Sequence, residues 1–432
     1  MKPPITIFWF RRDLRLYDNR GLFEALKASE NVLPLFIFDD ELLDPLPRDD
    51  HRVSFIYDAL TSLQQLLNQK GSGILVKKGR PIEVFSELIN EYVVESVFCN
   101  GDHEPYGIKR DEKINYLLAS HGISFYSYID HLVFGKQGVL KPDGTPYMVF
   151  TPYSRQWKSV LKGDHLQFYA SEDIGGRLYS GSLPVFPSLE RLGLSRTGLS
   201  LSEPDISMQQ IKEYHKTRDF PAMEGTTRLG PHLRFGTVSI RGLVKKAIEW
   251  NEIFLNELIW REFYAMILWH YPHVVDKSFK PEYDRIRWRN DERDYENWKS
   301  GNTGFPMVDA GMRQLNATGY MHNRLRMVTA SFLCKHLLVD WRWGEAYFAE
   351  KLFDYELSSN NGGWQWSAGT GCDAAPYFRI FNPTEQQKKF DPEGEFIRKW
   401  IPELDSIRYT SPIVDHKMAR ERCLRVYKEV LH

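Results

Sequence analysis

The chain of 432 residues lacks several features that mark specialised classes of protein. Its four cysteines, Cys99, Cys334, Cys372 and Cys423, are far apart, so no zinc or dithiol motif is present and a reducing compartment is expected. No apolar run approaches the length of about 18 residues that a membrane helix needs. The first residues do not have the pattern of a signal peptide. We therefore expect a cytoplasmic protein without a membrane partner.

An excess of charge of either sign is also absent. The 56 basic and 57 acidic residues give a net charge of −1, so any surface that attracts a polyanion must be local. Aromatic residues, in contrast, reach 14%, and ten of the 12 tryptophans lie from Trp250 onward. The second half of the chain is therefore expected to use indole rings for more than packing.

The first 130 residues alternate short runs of β-branched and aromatic residues with segments of helical periodicity. This rhythm predicts an α/β domain with a Rossmann-like parallel sheet covered by helices. The predicted strands are 5–10, 32–38, 73–76, 96–99 and 123–126. No GxGxxG motif follows the first of them, so the usual dinucleotide site is not expected.

Composition divides the rest of the chain. Residues 131–209 are rich in Gly, Pro and Ser with few periodic runs, and we interpret them as a long linker on the surface. From residue 210 to 432 one helical pattern follows another, which predicts an all-α domain. The expected organisation is thus an α/β domain over 1–130, a linker over 131–209 and a helical domain over 210–432.

The segment NELIWREFY, residues 256–264, combines unusual residue types on one predicted helix face. Glu257, Trp260, Arg261 and Tyr264 fall at positions i, i+3, i+4 and i+7. A plain core helix would not combine a carboxylate, an indole, a guanidinium and a phenol in this way. The alternative is an ordinary amphipathic helix in which Glu257 and Arg261 form a surface ion pair.

The segment MHNRLRM, residues 321–327, places two arginines at the start of a predicted helix. Arg324 and Arg326 would face the positive end of the helix dipole, which favours an anionic ligand nearby. A solvated basic turn is the alternative.

The segment NNGGWQW, residues 360–366, offers amides, glycines and indoles. The glycines permit close approach to the backbone, and the indoles could stack on a flat ring; a turn with core aromatics is the alternative. Just upstream, Asp354 and Glu356 could pair with a buried arginine or hold a polar cofactor. Residues 225–230, GTTRLG, could hold a pyrophosphate or simply cap a helix.

Taken in order, these segments resemble motifs of the photolyase/cryptochrome family, most closely those of bacterial class I cyclobutane pyrimidine dimer photolyases. The similarity extends over almost the whole chain. The matching segments are WFRRDLRLYDN (9–19), EGTTRLGPHLRFG (224–236), NELIWREFY, GFPMVDAGMRQL (304–315), MHNRLRM, NNGGWQW and DAAPYFRIFNP (373–383).

The resemblance implies a light-dependent DNA repair enzyme, a deoxyribodipyrimidine photo-lyase, with FAD held in the helical domain. In such an enzyme light drives an electron from reduced FAD to a cyclobutane pyrimidine dimer flipped out of DNA, and the dimer splits into two pyrimidines. The alternative within the family is a cryptochrome, a blue-light photoreceptor flavoprotein without repair activity.

Site residues follow from the resemblance, position by position. The residues expected to bind FAD are Tyr214, Thr226, Thr227, Arg228, Leu229, Arg326, Asp354, Glu356 and Asn360. Those expected to act on the dimer are Glu257, Asn323, Met327 and Asn360. The expected contacts to the dimer and to DNA are Arg218, Glu257, Trp260, Arg261, Asn323, Arg324, Met327, Trp366 and Arg379. A relay of electrons to oxidised FAD is expected through Trp288, Trp341 and Trp364.

Departures from the family pattern refine these expectations. Residues 103–107, HEPYG, lack the Asn-Glu pair of folate-binding members, so the antenna pocket is expected to hold a deazaflavin or a flavin, or to be empty, rather than to hold folate. Glu356 and Gly230 stand where Asp and Ser are usual. A 6-4 photolyase would carry His at the position of Asn323, whereas here the histidine is His322. The expected partner is ultraviolet-damaged DNA, and the expected state is a monomer without a metal.

Overall fold

A computed structural model describes residues 3–173, 175–199 and 206–431. Five parallel strands form one sheet in the order β3-β2-β1-β4-β5, which confirms the predicted fold class. The strands are β1 Ile5–Phe10, β2 Val32–Asp39, β3 Leu75–Gly79, β4 Val94–Asn100 and β5 Ser124–Tyr128. The third strand begins two residues later than predicted, because its pairing with β2 starts at Leu75 opposite Leu35.

Helices cover the sheet and make up most of the remainder. Those interleaved with the strands are α1 Arg20–Ala28, α2 Asp40–Leu43, α3 His51–Gln69, α4 Pro81–Glu91 and α5 Pro105–Ser120. Those that follow are α6 Phe150–Val160, α7 Met208–Thr217, α8 Gly230–Phe235, α9 Ile240–Trp250, α10 Glu252–His270, α11 Glu292–Ser300, α12 Pro306–Thr318, α13 Asn323–Ser331, α14 Trp341–Lys351, α15 Leu357–Ala368, α16 Pro383–Phe390, α17 Glu395–Trp400 and α18 His416–Leu431.

The alternation of side chains along the strands builds a core on each face of the sheet. Ile7 and Trp9 of β1 belong to one apolar cluster, and Phe8 and Phe10 belong to the other. Since both faces are covered, β1 is buried along its whole length.

The chain packs as two units that are not consecutive segments. We call Met1–Gly138, Val160–Ser202 and Leu229–Lys246 the α/β unit, and Val139–Ser159, Glu203–Arg228 and Ala247–His432 the helical unit. This division differs from the boundaries predicted near residues 130 and 210. Of the predicted linker, residues 174 and 200–205 lie outside the described part of the chain.

A buried ion cluster explains why residues 229–246 belong to the α/β unit. Arg241 of α9 donates to Asp18 at 2.9 Å and to Asp130 at 2.8 Å, and Arg15 donates to Asp130 at 2.6 Å. Each of these side chains is at most 4% exposed. Because removing one partner would leave a buried charge uncompensated, this segment is tied firmly to the first unit.

The predicted linker contains a helix that the sequence analysis missed. Residues 150–160 form α6, which buries Tyr153 and Trp157. The indole N–H of Trp157 donates to Glu262 of α10 at 3.0 Å. The interpretation of residues 131–209 as a surface connection is therefore wrong for this stretch.

All four cysteines are buried, and none of them forms a disulfide in the structure. None of the described helices combines the length and the apolar character needed to span a bilayer.

Candidate functional site

A cavity of about 400 Å³ in the helical unit brings together most of the predicted site residues. Helices α10, α13 and α15 contribute most of its walls. The predicted residues that line it are Arg218, Glu257, Trp260, Arg261, Asn323, Arg326, Met327, Asp354, Glu356, Asn360, Trp364 and Trp366.

Helix α10 supplies one polar and aromatic wall. It begins after Asn251, whose side chain accepts from the N–H groups of Ile253 and Phe254, and its four predicted face residues all line the cavity. Glu257 pairs with Arg218. Burial raises the pKa of Glu257, although the Arg218 guanidinium acts in the opposite direction. Glu257 is thus a carboxyl group that can accept or hold a proton inside the cavity.

Helix α13 begins as predicted, and internal carboxylates account for both of its arginines. Arg326 binds Asp354 through two hydrogen bonds of 2.9 and 3.1 Å, and Arg324 pairs with Asp219 at 2.6 Å. The Nδ1 atom of His322 caps the helix by accepting from the Arg324 N–H at 3.1 Å. Burial is the main reason why the pKa of His322 falls to about 4, so this imidazole is neutral near pH 7.

Helix α15 contains the whole NNGGWQW segment, so the alternative of a turn is wrong. It spans Leu357–Ala368 and ends at Gly369, whose φ of +88° suits glycine. A Cβ at Gly362 would lie 2.1 Å from Cδ1 of Tyr264, which confirms that this glycine admits a close neighbour. At Gly363 nothing lies within 4 Å of that position, so the cavity reaches the helix backbone there.

Both acidic residues upstream of α15 pair with arginines and also line the cavity. Asp354 binds Arg326, and Glu356 accepts from Arg261 at 3.0 Å. The second carboxylate oxygen of Glu356 accepts from the Ser359 hydroxyl at 3.2 Å. The two alternatives raised by the sequence are therefore compatible, because paired carboxylates still present oxygen atoms to a ligand.

A residue that the sequence analysis missed lies behind Asn360. The Asn360 side-chain N–H group donates to the Glu345 carboxylate at 2.8 Å and to the Glu345 carbonyl at 3.0 Å. Burial raises the pKa of Glu345, while the hydrogen bond from Asn360 lowers it. No motif marked Glu345, since its only signal is a carboxylate on the same helix as Trp341.

Replacing Glu345 by Gln is expected to change how stability depends on pH. In the folded state the raised pKa favours the protonated carboxyl, so wild-type stability is lost as pH rises through the folded pKa. Glutamine does not ionise, so the variant does not lose stability in this way as pH rises. Its side-chain carbonyl oxygen can still accept the hydrogen bond from Asn360. Urea unfolding at pH 8 should show Glu345→Gln to be the more stable protein, and the difference should shrink toward acidic pH. An unchanged difference across that range would contradict the assignment.

The predicted phosphate loop borders a second cavity of the helical unit, of about 350 Å³. Thr226 and Arg228 line it, and the Thr226 hydroxyl forms a 3.0 Å hydrogen bond with the Tyr320 hydroxyl. Arg228 has a φ of +52° and pairs with Glu224 at 2.6 Å. This strained backbone is typical of a functional loop.

The remaining predicted cofactor residues lie close to this loop in sequence. Thr227 is buried, and Tyr214 on α7 packs its ring against Phe254 at 5.3 Å between centroids. Leu229 is buried and belongs to the α/β unit. The structure thus distributes the predicted cofactor residues over the 400 Å³ cavity, helix α7 with Tyr214, the loop at residues 226–228 and Leu229.

The predicted relay tryptophans share one core and differ in exposure. Trp364 lines the cavity and is 2% exposed, Trp341 is 1% exposed, and Trp288 is only partly buried. The Trp364 ring packs on the backbone of α14, where a Cβ at Gly344 would come within 2.1 Å. The indole N–H groups of Trp341 and Trp364 have no hydrogen-bond partner among the described residues.

The four predicted DNA arginines differ in availability. Arg261 is 11% exposed beside Glu356, and Arg218 and Arg324 are 22% and 16% exposed in their own pairs. Arg379 is exposed, and its backbone carbonyl accepts from the buried Lys335 ammonium at 2.9 Å. The bond from Lys335 holds the backbone at Arg379, whose guanidinium has no carboxylate partner among the described residues.

The cavity is lined by carboxylates, amides, arginines and indole rings on helices, a set of groups that can hold a flat, polar cofactor. Comparison with known proteins agrees. Residues 254–408 match the FAD binding domain of DNA photolyase, and residues 6–170 match the DNA photolyase family model. The chain belongs to the DNA photolyase family.

Individual relatives align with 97–100% of the chain. A deoxyribodipyrimidine photo-lyase of Alkalihalophilus pseudofirmus is 36% identical, with 97% of each chain aligned. A bacterial class III photolyase from Agrobacterium tumefaciens has a TM-score of 0.88 at 30% identity, covering 100% of this chain and 98% of its own. An archaeal photolyase from Sulfolobus tokodaii, solved with two FAD molecules, has a TM-score of 0.84 at 36% identity, covering 98% and 100%.

Proposed function

We propose that this protein is a light-driven deoxyribodipyrimidine photo-lyase that repairs cyclobutane pyrimidine dimers in DNA with FAD. The observation that carries the proposal is the 400 Å³ cavity, which unites an open backbone at Gly363 with aromatic and carboxyl groups suited to nucleobases. Relatives of this name align with nearly the full chain at similar identity.

The cavity fits a flavin by its chemistry. The open space at Gly363 admits a flat ring, and Asn360 and the Arg326–Asp354 pair offer the donors and acceptors that such a ring and its ribityl chain require. Glu356 and the loop at 226–228 complete the proposed contacts. When bound and reduced, FAD supplies the photoexcited electron for dimer cleavage.

The α10 and α15 walls form the proposed lesion pocket. Trp260 and Trp366 line the cavity and can stack on the two pyrimidines of a flipped dimer. Stacking of about 1–3 kcal/mol per base offsets the few kcal/mol that extrusion costs, a cost that is smaller for a damaged pair. Glu257, with its raised pKa, can bind the polar edges of the bases as a hydrogen-bond donor or acceptor.

The state of His322 supports cyclobutane dimers over 6-4 products as the substrate. A 6-4 photolyase needs an acid at the position of Asn323, which here is an exposed amide. The adjacent His322 is 3% exposed and uses Nδ1 as the acceptor of a helix cap. With a pKa of about 4 it cannot supply a proton near neutral pH.

A repair assay tests the proposal against the cryptochrome alternative. The purified FAD-bound protein is reduced, mixed with a dimer-containing oligonucleotide and illuminated with blue light. We expect the ultraviolet absorbance of the pyrimidines to recover only under light. If light reduces FAD in a parallel sample of the oxidised protein but gives no recovery in the reduced sample, the protein is instead a photoreceptor.

Several wider expectations remain proposals. A deazaflavin or a second flavin as antenna is favoured over folate by the sequence of residues 103–107. A monomer in the cytoplasm is the expected state. The individual site residues given above belong to the same proposal.

A further inference from the structure

The predicted lesion-stacking residue Trp260 is itself stacked on a ring from α6. The Phe150 ring lies parallel to Trp260, with centroids 3.7 Å apart and 4° between the planes. Trp260 lines the 400 Å³ cavity, and Phe150 does not. Phe150 therefore packs on a face of the indole without lining the cavity itself. Aromatic pairs usually prefer an offset or edge-on arrangement, so the surrounding backbone must hold this parallel stack in place.

Helix α6 fixes Phe150 through a row of contacts with α10. Phe150, Tyr153 and Trp157 are spaced i, i+3 and i+7, and therefore share one face of α6. Tyr153 packs against Phe263 at 5.2 Å, and Trp157 donates to Glu262. Phe150 also contacts Phe263 edge-on at 5.9 Å. The face of α6 thus rests on α10 at every turn.

The N-terminus of α6 is held by a separate segment. The Phe150 backbone N–H donates to the Asp373 carboxylate at 2.9 Å. Asp373 has a φ of +45°, a conformation that is uncommon for a residue other than glycine. This bond satisfies one of the orphan donors of the helix start and ties Phe150 to the segment that carries Arg379.

We propose that Phe150 is a positioning residue for DNA repair, which holds the Trp260 indole in a fixed plane so that the indole can stack on one base of the flipped dimer. The inference rests on the proposed function, because it concerns recognition of the same lesion. An indole free to rotate would have to be ordered when the base arrives, and that cost would reduce lesion affinity. A ring already held parallel by Phe150 avoids this cost.

Binding in the dark separates this role from simple packing. We would measure the affinities of FAD-bound wild type and of the Phe150→Ala, Phe150→Leu and Phe150→Tyr variants for a dimer-containing oligonucleotide and for its undamaged counterpart. Loss of the ring should raise the Kd for the dimer roughly tenfold in the Ala and Leu variants. The Kd for undamaged DNA should not change. Phe150→Tyr keeps the ring and should retain wild-type selectivity.

Two outcomes would overturn the inference. If Phe150→Leu binds the dimer as tightly as wild type, Phe150 only fills space. If both affinities weaken equally in the Ala and Leu variants, its role is a general structural one. A wild-type protein without preference for the dimer would instead contradict the proposed function itself. Phe168→Ala, which removes an exposed ring from the α/β unit, is the matched control and should leave both affinities unchanged.

Discussion

Replacing Trp364 by Phe is expected to slow photoreduction of oxidised FAD by more than about 100-fold, equivalent to a barrier about 2.7 kcal/mol higher. Trp364 is the one predicted relay residue that lines the cavity, so an electron that enters by this route must pass through its indole. A phenyl ring is much harder to oxidise than an indole. Repair by protein that is already reduced should remain largely intact, because its electron does not travel through the relay.

Transient absorption after a laser flash provides the measurement. Wild type should show an oxidised tryptophan, whereas Trp364→Phe should not, and Trp341→Phe should show a signal that decays early. Within the described part of the chain, the N–H groups of Trp341 and Trp364 have no hydrogen-bond acceptor, and an oxidised indole without a proton acceptor passes the charge on rather than losing a proton. Trp343→Phe is the matched control, because Trp343 lies on the same helix and is partly buried against Tyr295.

Equal loss of photoreduction and of repair in Trp364→Phe would contradict the relay. That result would mean that the substitution disturbs the cavity instead. Retention of bound FAD, measured by its absorbance after gel filtration, distinguishes a damaged cavity from a broken relay.

The α/β sheet could be predicted from sequence because each strand carries its own signal. Strands such as β1 and β2 are short, apolar and buried on both faces, so their residue types alone are enough to predict a buried strand. The residues on the cavity face of α10 could be predicted equally well, because a spacing of three residues places Glu257 and Trp260 on the same side of a helix.

Contacts between distant segments could not be predicted in this way. Helix α6 lies in a stretch rich in Gly and Pro, and the spacing of its three aromatic residues was the only signal of the buried face. The contact of Glu345 with Asn360 depends on the packing of α14 against α15, so nothing in the local sequence predicts it. The pairing of Arg324 with Asp219, 105 residues away, likewise requires the tertiary fold.

The salt dependence of DNA binding is expected to identify which arginines meet phosphates. We count Arg218, Arg324 and Arg379 as phosphate contacts, because Arg261 is the least exposed of the four predicted arginines, at 11%. Three phosphate contacts give a slope of about −2.7 for log K against log salt, or roughly a 40-fold loss of affinity between 50 and 200 mM salt. A DNA affinity that does not change with salt concentration would show that these arginines do not bind DNA phosphates.

Removing one charge tests the assignment of Arg379 directly. Its exposed guanidinium should release a full counterion on binding, so Arg379→Ala should lower the slope to about −1.8 and reduce the loss over the same salt range to roughly 12-fold. The change should be the same for damaged and undamaged DNA, because a phosphate contact carries no information about the lesion. Arg196→Ala removes an exposed arginine paired with Asp58 in the α/β unit and should leave the slope unchanged. If both substitutions lower the slope equally, the effect reflects the overall charge of the protein, and the contact between Arg379 and DNA would have to be abandoned.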